Sequence, residues 1–170
     1  MMTIIACVDR NWGIGYDGKL LFDIPQDMEH FKKFTAGKTV IMGRRTFDSL
    51  RVKPLPDRRN IVLTKKRDFS FEGVEAAHSI DELLKLTADA KSGDVAVIGG
   101  SQIYRQLLEY CDTAYITKVF ARTHADSFIA DFDSLEDWKV HEMSQIMEYN
   151  GLRYRFLTYK RIPKSNAGSL

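Results

Sequence analysis

The chain has 170 residues, 44% of them hydrophobic, with 25 basic and 23 acidic side chains and a net charge of +2. A chain of this length buries about 70% of its unfolded surface, enough for one core without disulfides or a structural metal. The even charge balance excludes the electrostatic footprint of a nucleic-acid or membrane-surface binder. No apolar run reaches the length of a membrane span. Two cysteines, Cys7 and Cys111, make neither a disulfide framework nor a zinc site. They read as buried free thiols of a reducing compartment. The N-terminus lacks the basic region and length of a signal peptide, so the expected location is the cytoplasm.

Thr3 to Val8 is a continuous apolar run, as in a strand buried on both faces. Asp9 to Gly18, with three glycines, reads as a mobile loop. Pro25 suits a helix start, Met28, Phe31 and Phe34 recur at helical spacing, and Gly37 stops the helix. Thr39 to Met42 is a second strand, broken by Gly43, and Arg44 to Leu50 a short helix. Pro54 and Pro56 mark a loop before a third strand, Asn60 to Thr64. Gly73 to Ala76 reads as a short strand. Ser79 and Glu82 make a capping-box pattern ahead of Leu83, Leu84 and Leu86. Asp94 to Ile98 is another strand, ended by Gly99-Gly100. Ile103, Tyr104, Leu107 and Leu108 form one face of the next helix. Thr113 to Phe120 is a strand, and Tyr154 to Tyr159 closes an antiparallel hairpin. The alternation predicts a single α/β domain over residues 1–162. Its core is a mostly parallel twisted sheet of about eight strands, flanked by about four helices. Residues 163–170 read as a frayed tail.

Parallel α/β sheets bind ligands at the carboxyl ends of their strands. Two glycine breaks fall at such ends. In Ile41-Met42-Gly43-Arg44-Arg45-Thr46 a strand stops and a helix begins at once, so free amides and two arginines are offered to an anion. Val97-Ile98-Gly99-Gly100-Ser101-Gln102 repeats that arrangement. Each alone is also what an ordinary strand-to-helix turn looks like. Together they suggest a dinucleotide lying across the strand ends. The Gly13, Gly15, Gly18 spacing begins like a dinucleotide fingerprint but has no convincing helix after it, and is rejected. Asp27, in the first turn of a helix beside Met28 and Phe31, either complements the helix dipole or faces an apolar pocket and pairs with a cationic ligand edge. The four histidines show no metal-ligand spacing, and no serine or cysteine sits in a nucleophile motif.

Five segments carry a resemblance. They are Asp9-Arg10-Asn11-x-Gly13-Ile14-Gly15, Ile24-Pro25-x-Asp27-Met28-x-x-Phe31, Val40-Ile41-Met42-Gly43-Arg44-Arg45-Thr46-Phe47-x-Ser49-Leu50, Pro54-Leu55-Pro56-x-Arg58-x-Asn60 and Ile98-Gly99-Gly100-x-x-Ile103-Tyr104. In this order and spacing they resemble the bacterial-type dihydrofolate reductases, over residues 3 to 160. The resemblance implies reduction of dihydrofolate to tetrahydrofolate by NADPH, with antifolate inhibitors as further ligands. A monomer is expected, because the sequence shows no exposed apolar stripe.

The resemblance also implies roles. Asp27 holds the pterin, with Thr117 hydrogen-bonded to it. Leu20 and Phe22 complete the catalytic set, in the loop that closes over the pocket. Ile5, Ala6, Met28, Phe31, Leu50, Leu55, Ile98 and Tyr104 wall the substrate pocket, while Arg58, with Lys32 nearby, meets the glutamate carboxylate. Gly43, Arg44, Arg45, Thr46, Gly99, Gly100, Ser101 and Gln102 hold the cofactor phosphates. Arg44, Thr64 and Lys65 read the 2′-phosphate, and Cys7, Ile14, Gly15, Ile98 and Tyr104 surround the nicotinamide. The Gly99-Gly100 peptide is expected to be cis. Leu21-Phe22 departs from the family's usual Pro-Trp, which removes an indole donor. Asp126 matches the acidic residue that supports the loop, but Ile129-Ala130 lacks the usual proline. Two other readings share these features: an NADPH-dependent reductase of a related heterocycle, and a catalytically weak pterin- or nucleotide-binding module.

Overall fold

The computed structural model describes residues 1–163; the expected frayed tail lies, but for its first residue, outside them. In chain order the strands are β1 (Met2–Val8), β2 (Gly13–Tyr16), β3 (Lys19–Leu20), β4 (Thr39–Gly43), β5 (Arg59–Leu63), β6 (Val74–Ala77), β7 (Val95–Gly99), β8 (Cys111–Val119), β9 (Ser127–Phe128), β10 (Trp138–Met143), β11 (Met147–Tyr149) and β12 (Leu152–Arg161). The helices are α1 (Pro25–Thr35), α2 (Arg44–Ser49), α3 (Ile80–Leu86) and α4 (Ser101–Leu107), and a 3-10 turn spans Leu108–Tyr110.

Eight strands line up in the order β10-β12-β8-β1-β7-β4-β5-β6, with β11 beside β12. From β8 to β6 every neighbouring pair is parallel, while β12 runs antiparallel to both β8 and β10. Alternation explains the continuous apolar runs. Ile4 and Val8 of β1, Ile41 of β4 and Ile61 and Leu63 of β5 pack with Leu83 of α3 and Ile103 and Leu107 of α4. Val40, Met42 and Val62 point the other way and pack on Phe47 of α2. Cys7 also faces away from the first cluster, toward Ile24, Val119 and Tyr154. A strand covered on both faces has no polar side to show.

Three details differ from the sequence expectation. The segment expected as a mobile loop, Asp9 to Gly18, contains β2, which forms a second small sheet with β3 and β9. Its glycines concealed the strand, because the pairing partner lies more than a hundred residues on. The C-terminal strand is longer than expected and takes three partners, β8, β10 and β11. The capping box at α3 is displaced: the Ser79 hydroxyl accepts from the Glu82 amide at 3.1 Å, but the Glu82 carboxylate accepts from the amide of His78 instead of Ser79.

Candidate active site

At the carboxyl end of the sheet, α1 leaves β3 through Ile24. No side chain caps it, and Pro25 occupies its first turn, where a missing amide costs nothing. Asp27 is therefore not used in capping. Its carboxylate turns to the sheet, where the buried Thr117 hydroxyl of β8 donates to it at 2.6 Å. Burial pushes the Asp27 carboxyl above its ordinary range, against the opposing pull of the hydrogen bond from Thr117. The helix-dipole reading of Asp27 does not explain a side chain aimed inward at a strand.

One face of α1 continues from Asp27 through Phe31 to Thr35. At 1.5 Å per residue the ends of that face lie about 12 Å apart. At the far end the Arg58 guanidinium sits 5.9 Å from the Phe31 ring, donating from Nε to the Thr35 hydroxyl at 2.8 Å and from Nη1 to the Pro56 carbonyl at 2.6 Å. Buried Asn60 ties this loop down: its amide nitrogen donates to the carbonyls of Leu55 and Arg58, and its side-chain oxygen accepts from the Leu55 amide. Thr35 and Asn60 carry no expected role from the sequence. A fully buried threonine at a helix end and a buried asparagine at a strand start become meaningful only once Arg58 lies between them. Leu50 and Leu55 are half-buried on the same side, next to the Phe47 cluster, and Lys32 is exposed. Met28 is 43% exposed, an apolar side chain that the chain itself does not cover.

The glycine breaks adjoin each other because β4 and β7 are neighbours. A Cβ on Gly43 would meet Ile103 at 3.0 Å, and one on Gly100 would meet the Thr46 hydroxyl at 3.4 Å, so the starts of α2 and α4 are packed side by side. Neither helix has a side-chain cap, which leaves first-turn amides of both unpaired by side chains. The Gly99-Gly100 peptide is cis, and Gly99 has a φ of 123°, open only to glycine. Arg44 lies on the same edge, paired with Asp48 at 2.7 Å, and Arg45 is exposed beside it. Ser101 and Gln102 open α4. Thr64 and Lys65 follow the end of β5, one strand further along.

Between the two halves, the Tyr104 hydroxyl donates to the Ile5 carbonyl at 2.7 Å, holding α4 to β1. Ala6, Cys7 and Ile98 are half-buried at the same strand ends. Ile14 and Gly15 lie in β2. Phe22 packs on Ile24, Val119 and Tyr154, whereas Leu20 is 72% exposed. The small sheet is fastened in two ways. The Asp126 carboxylate accepts from the Asp17 amide at 2.9 Å, and the Asp126 amide donates to the Gly15 carbonyl at 3.0 Å. Asp9, at the end of β1, accepts from the amides of Asn11 and Gly13 and from the amide and hydroxyl of Thr123. The Asp9 role was not anticipated.

The sheet thus brings the expected residues to one edge in two groups. Those from β8, β1 and α1 lie on one side, and those from β7, β4 and β5 on the other.

The sequence matches the family described as dihydrofolate reductase over residues 1–161. It is 36% identical over 170 residues to a dihydrofolate reductase of Bacillus subtilis, covering 99% of each chain. It is 38% identical over 161 residues to one from Neisseria meningitidis serogroup B, covering 94% of this chain and 98% of the relative. The structure is similar, with a TM-score of 0.83 and 33% identity, to an Enterococcus faecalis dihydrofolate reductase complexed with NADP(H) and a compound named RAB-propyl; 95% of this chain and 96% of that one are matched. A match across almost the whole chain, in sequence and in fold, places this chain in the dihydrofolate reductase family.

Proposed function

We propose that the chain reduces 7,8-dihydrofolate to 5,6,7,8-tetrahydrofolate, adding hydride to C6 and a proton to N5. The observation that carries this reading is a partly buried carboxylate and a guanidinium at opposite ends of one helix face. Asp27 meets the pterin's 2-amino group and N3, Phe31 and Leu55 flank the aromatic middle, and Arg58 receives the glutamate α-carboxylate. The rise of α1 sets a span of about 12 Å between the two charges, which suits a ligand with a polar ring at one end and a carboxylate at the other. The same pocket takes antifolate inhibitors. Met28, Ile5, Ala6 and Leu50 supply the apolar walls.

NADPH supplies the hydride. The residues present fit it: uncapped amides at Gly43 and Gly100 and the small Gly99 leave a cradle for phosphates, and Arg44, Thr64 and Lys65 stand where a further phosphate would meet them. Cys7, Ile14, Gly15, Ile98 and Tyr104 border the place for the nicotinamide. Asp27 orients the pterin and polarises it toward protonation. Delivery of the proton to N5 is assigned to water. The β2–β3 segment with Leu20 and Phe22 covers the cleft and excludes bulk water. The large exposed apolar side chains are spread over many elements, which supports a monomer. The continuous sheet supports one catalytic domain across residues 1–162, and the two free thiols fit a cytoplasmic location.

The test is NADPH oxidation with dihydrofolate, followed by absorbance, for the wild type and Asp27→Asn. The variant is expected to lose about a hundredfold or more in turnover at neutral pH while keeping NADPH affinity. Part of the loss should be regained at low pH, where the substrate arrives protonated at N5. Near-normal turnover in the variant returns Asp27 to a helix-dipole role and removes the mechanism.

A further inference from the structure

Lys118 follows Thr117 in β8 and projects from the opposite face of the sheet, since side chains alternate along a strand. On one face Thr117 sets Asp27. On the other, the Lys118 ammonium stands 4.1 Å from the centre of the Trp12 ring. The Lys118 side chain is only 16% exposed, so its charge is largely removed from water. Asp133 accepts from that ammonium at 2.8 Å and from the Tyr159 hydroxyl at 2.7 Å. Burial acts to raise the Asp133 carboxyl, but these two hydrogen bonds and the Lys118 charge outweigh it and hold the group below its ordinary range. The carboxylate stays ionised and keeps the ammonium in place over the ring. It also offsets Arg155, a like charge directly opposite Lys118 in β12.

Trp12 is the residue that this cation holds. It is buried, with the Phe132 and Tyr159 rings at 5.8 and 6.0 Å. Its φ of 62° lies in the left-handed region, uncommon for a bulky side chain, so the turn depends on tertiary contacts to its ring. The backbone of Trp12 joins separate parts of the chain. Its amide donates to the Asp9 carbonyl at 3.2 Å, and its carbonyl accepts from the Ile129 amide, just past β9, at 3.0 Å. Gly13 follows at once and opens β2.

We propose that Lys118 is a positioning residue for the cofactor half of the reaction: its ammonium, seated on Trp12, fixes the start of β2 and so places Ile14 and Gly15 against the nicotinamide. The proposal rests on the reading that these two residues border the nicotinamide. A cation taken out of water is attracted to the negative face of an indole more strongly than an exposed one. β8 then serves as a common reference for both ligands, through Thr117 to Asp27 and through Lys118 to the start of β2. Asp9 holds the backbone of that turn, and Lys118 holds its side chain.

The experiment measures NADPH and dihydrofolate affinities and single-turnover hydride transfer. The proteins are the wild type, Lys118→Met, Lys118→Arg, Trp12→Leu and the double variant Lys118→Met with Trp12→Leu. Methionine keeps an apolar stem and removes the charge; arginine keeps the charge. Lys118→Met should weaken NADPH about fivefold, because fewer molecules hold β2 in the binding position. Hydride transfer should slow, while dihydrofolate affinity holds. Lys118→Arg should recover most of the NADPH affinity. In the Trp12→Leu background, Lys118→Met should have no further effect, because ring and cation act as one contact. The proton spectrum of the unaltered protein provides a measurement that needs no variant: the Lys118 ε-methylene signals should lie upfield, shifted by the Trp12 ring current. Unshifted signals overturn the proposal. So do additive effects in the double variant, equal losses for both ligands, or an unchanged NADPH affinity, which a merely structural role would give. Failure of the wild type to oxidise NADPH with dihydrofolate would instead overturn the functional reading, so the two failures are told apart.

Discussion

Replacing Asp9 by asparagine tests whether a single buried carboxylate holds the covering segment in place. Asp9 is fully buried, and its two oxygens take four hydrogen bonds. One oxygen accepts from Asn11 and Gly13 at 2.9 and 2.8 Å. The other accepts from the Thr123 amide at 3.1 Å and from its hydroxyl at 2.8 Å. Asparagine can retain the first pair by turning its NH2 toward Thr123, where the hydroxyl can reverse and accept. The Thr123 amide then faces another donor and loses its partner. A hydrogen bond to a charged group is worth about 1.5–3 kcal/mol and a neutral one about 1 kcal/mol, so one bond lost and three weakened give about 4 kcal/mol. That is a large share of the 5–15 kcal/mol typical of a domain. With a urea slope of about 2 kcal/mol per molar, the unfolding midpoint should fall by about 2 M.

The pH dependence has a definite sign. Burial acts to raise the Asp9 carboxyl, but hydrogen bonds from Thr123, Gly13 and Asn11 outweigh it and hold the group below its ordinary range. Its stabilisation is therefore complete above the unfolded-state value near 3.9 and disappears as pH falls through the lower folded value. The gap between wild type and variant, measured by urea unfolding at pH 7 and again below pH 4, should narrow in acid. Hydrogen exchange at the Asn11, Gly13 and Thr123 amides should accelerate in the variant at neutral pH. A destabilisation under about 1 kcal/mol at pH 7, or a gap constant through the acid range, would refute the reasoning.

Arg44→Ala is expected to weaken NADPH by about tenfold and NADH little, read from binding titrations of both cofactors; equal losses would separate Arg44 from the 2′-phosphate. The gain from phosphate is limited because Arg44 must share its guanidinium with Asp48. Arg58→Leu should raise KM for dihydrofolate by about tenfold or more with a smaller effect on kcat, and leave a small pterin lacking the glutamate unaffected. Steady-state kinetics with both substrates check this, and an equal effect on the small pterin sinks it. Phe22→Trp restores an indole donor beside the pocket and should change hydride rate or substrate affinity modestly. Unchanged single-turnover kinetics, with a water ordered at the same position in both proteins, would remove Phe22 as a meaningful departure.

Strands buried on both faces are legible locally, since runs such as Thr3–Val8 and Asp94–Ile98 carry their apolar character in adjacent residues. Both glycine breaks are legible too, because a strand that ends at glycine and passes into a helix is a short-range pattern. Asp27 was visible as a carboxylate in a first helical turn among apolar neighbours. Its partner was not derivable from spacing, because Thr117 is ninety residues away and was named only through the family resemblance. The strand order that sets β4 next to β7, and hence the contact between the two glycine turns, comes from long-range packing. The same holds for the glycine-rich segment after β1, which is part of a sheet with β9, because strand pairing is a long-range contact that leaves no local periodicity in a four-residue strand. Asp9, Thr35 and Asn60 belong with these. Each is an ordinary polar residue in sequence, and each acquires its role from burial beside donors or acceptors that other parts of the chain deliver. A buried polar group must find a partner, and which partner it finds is settled by packing.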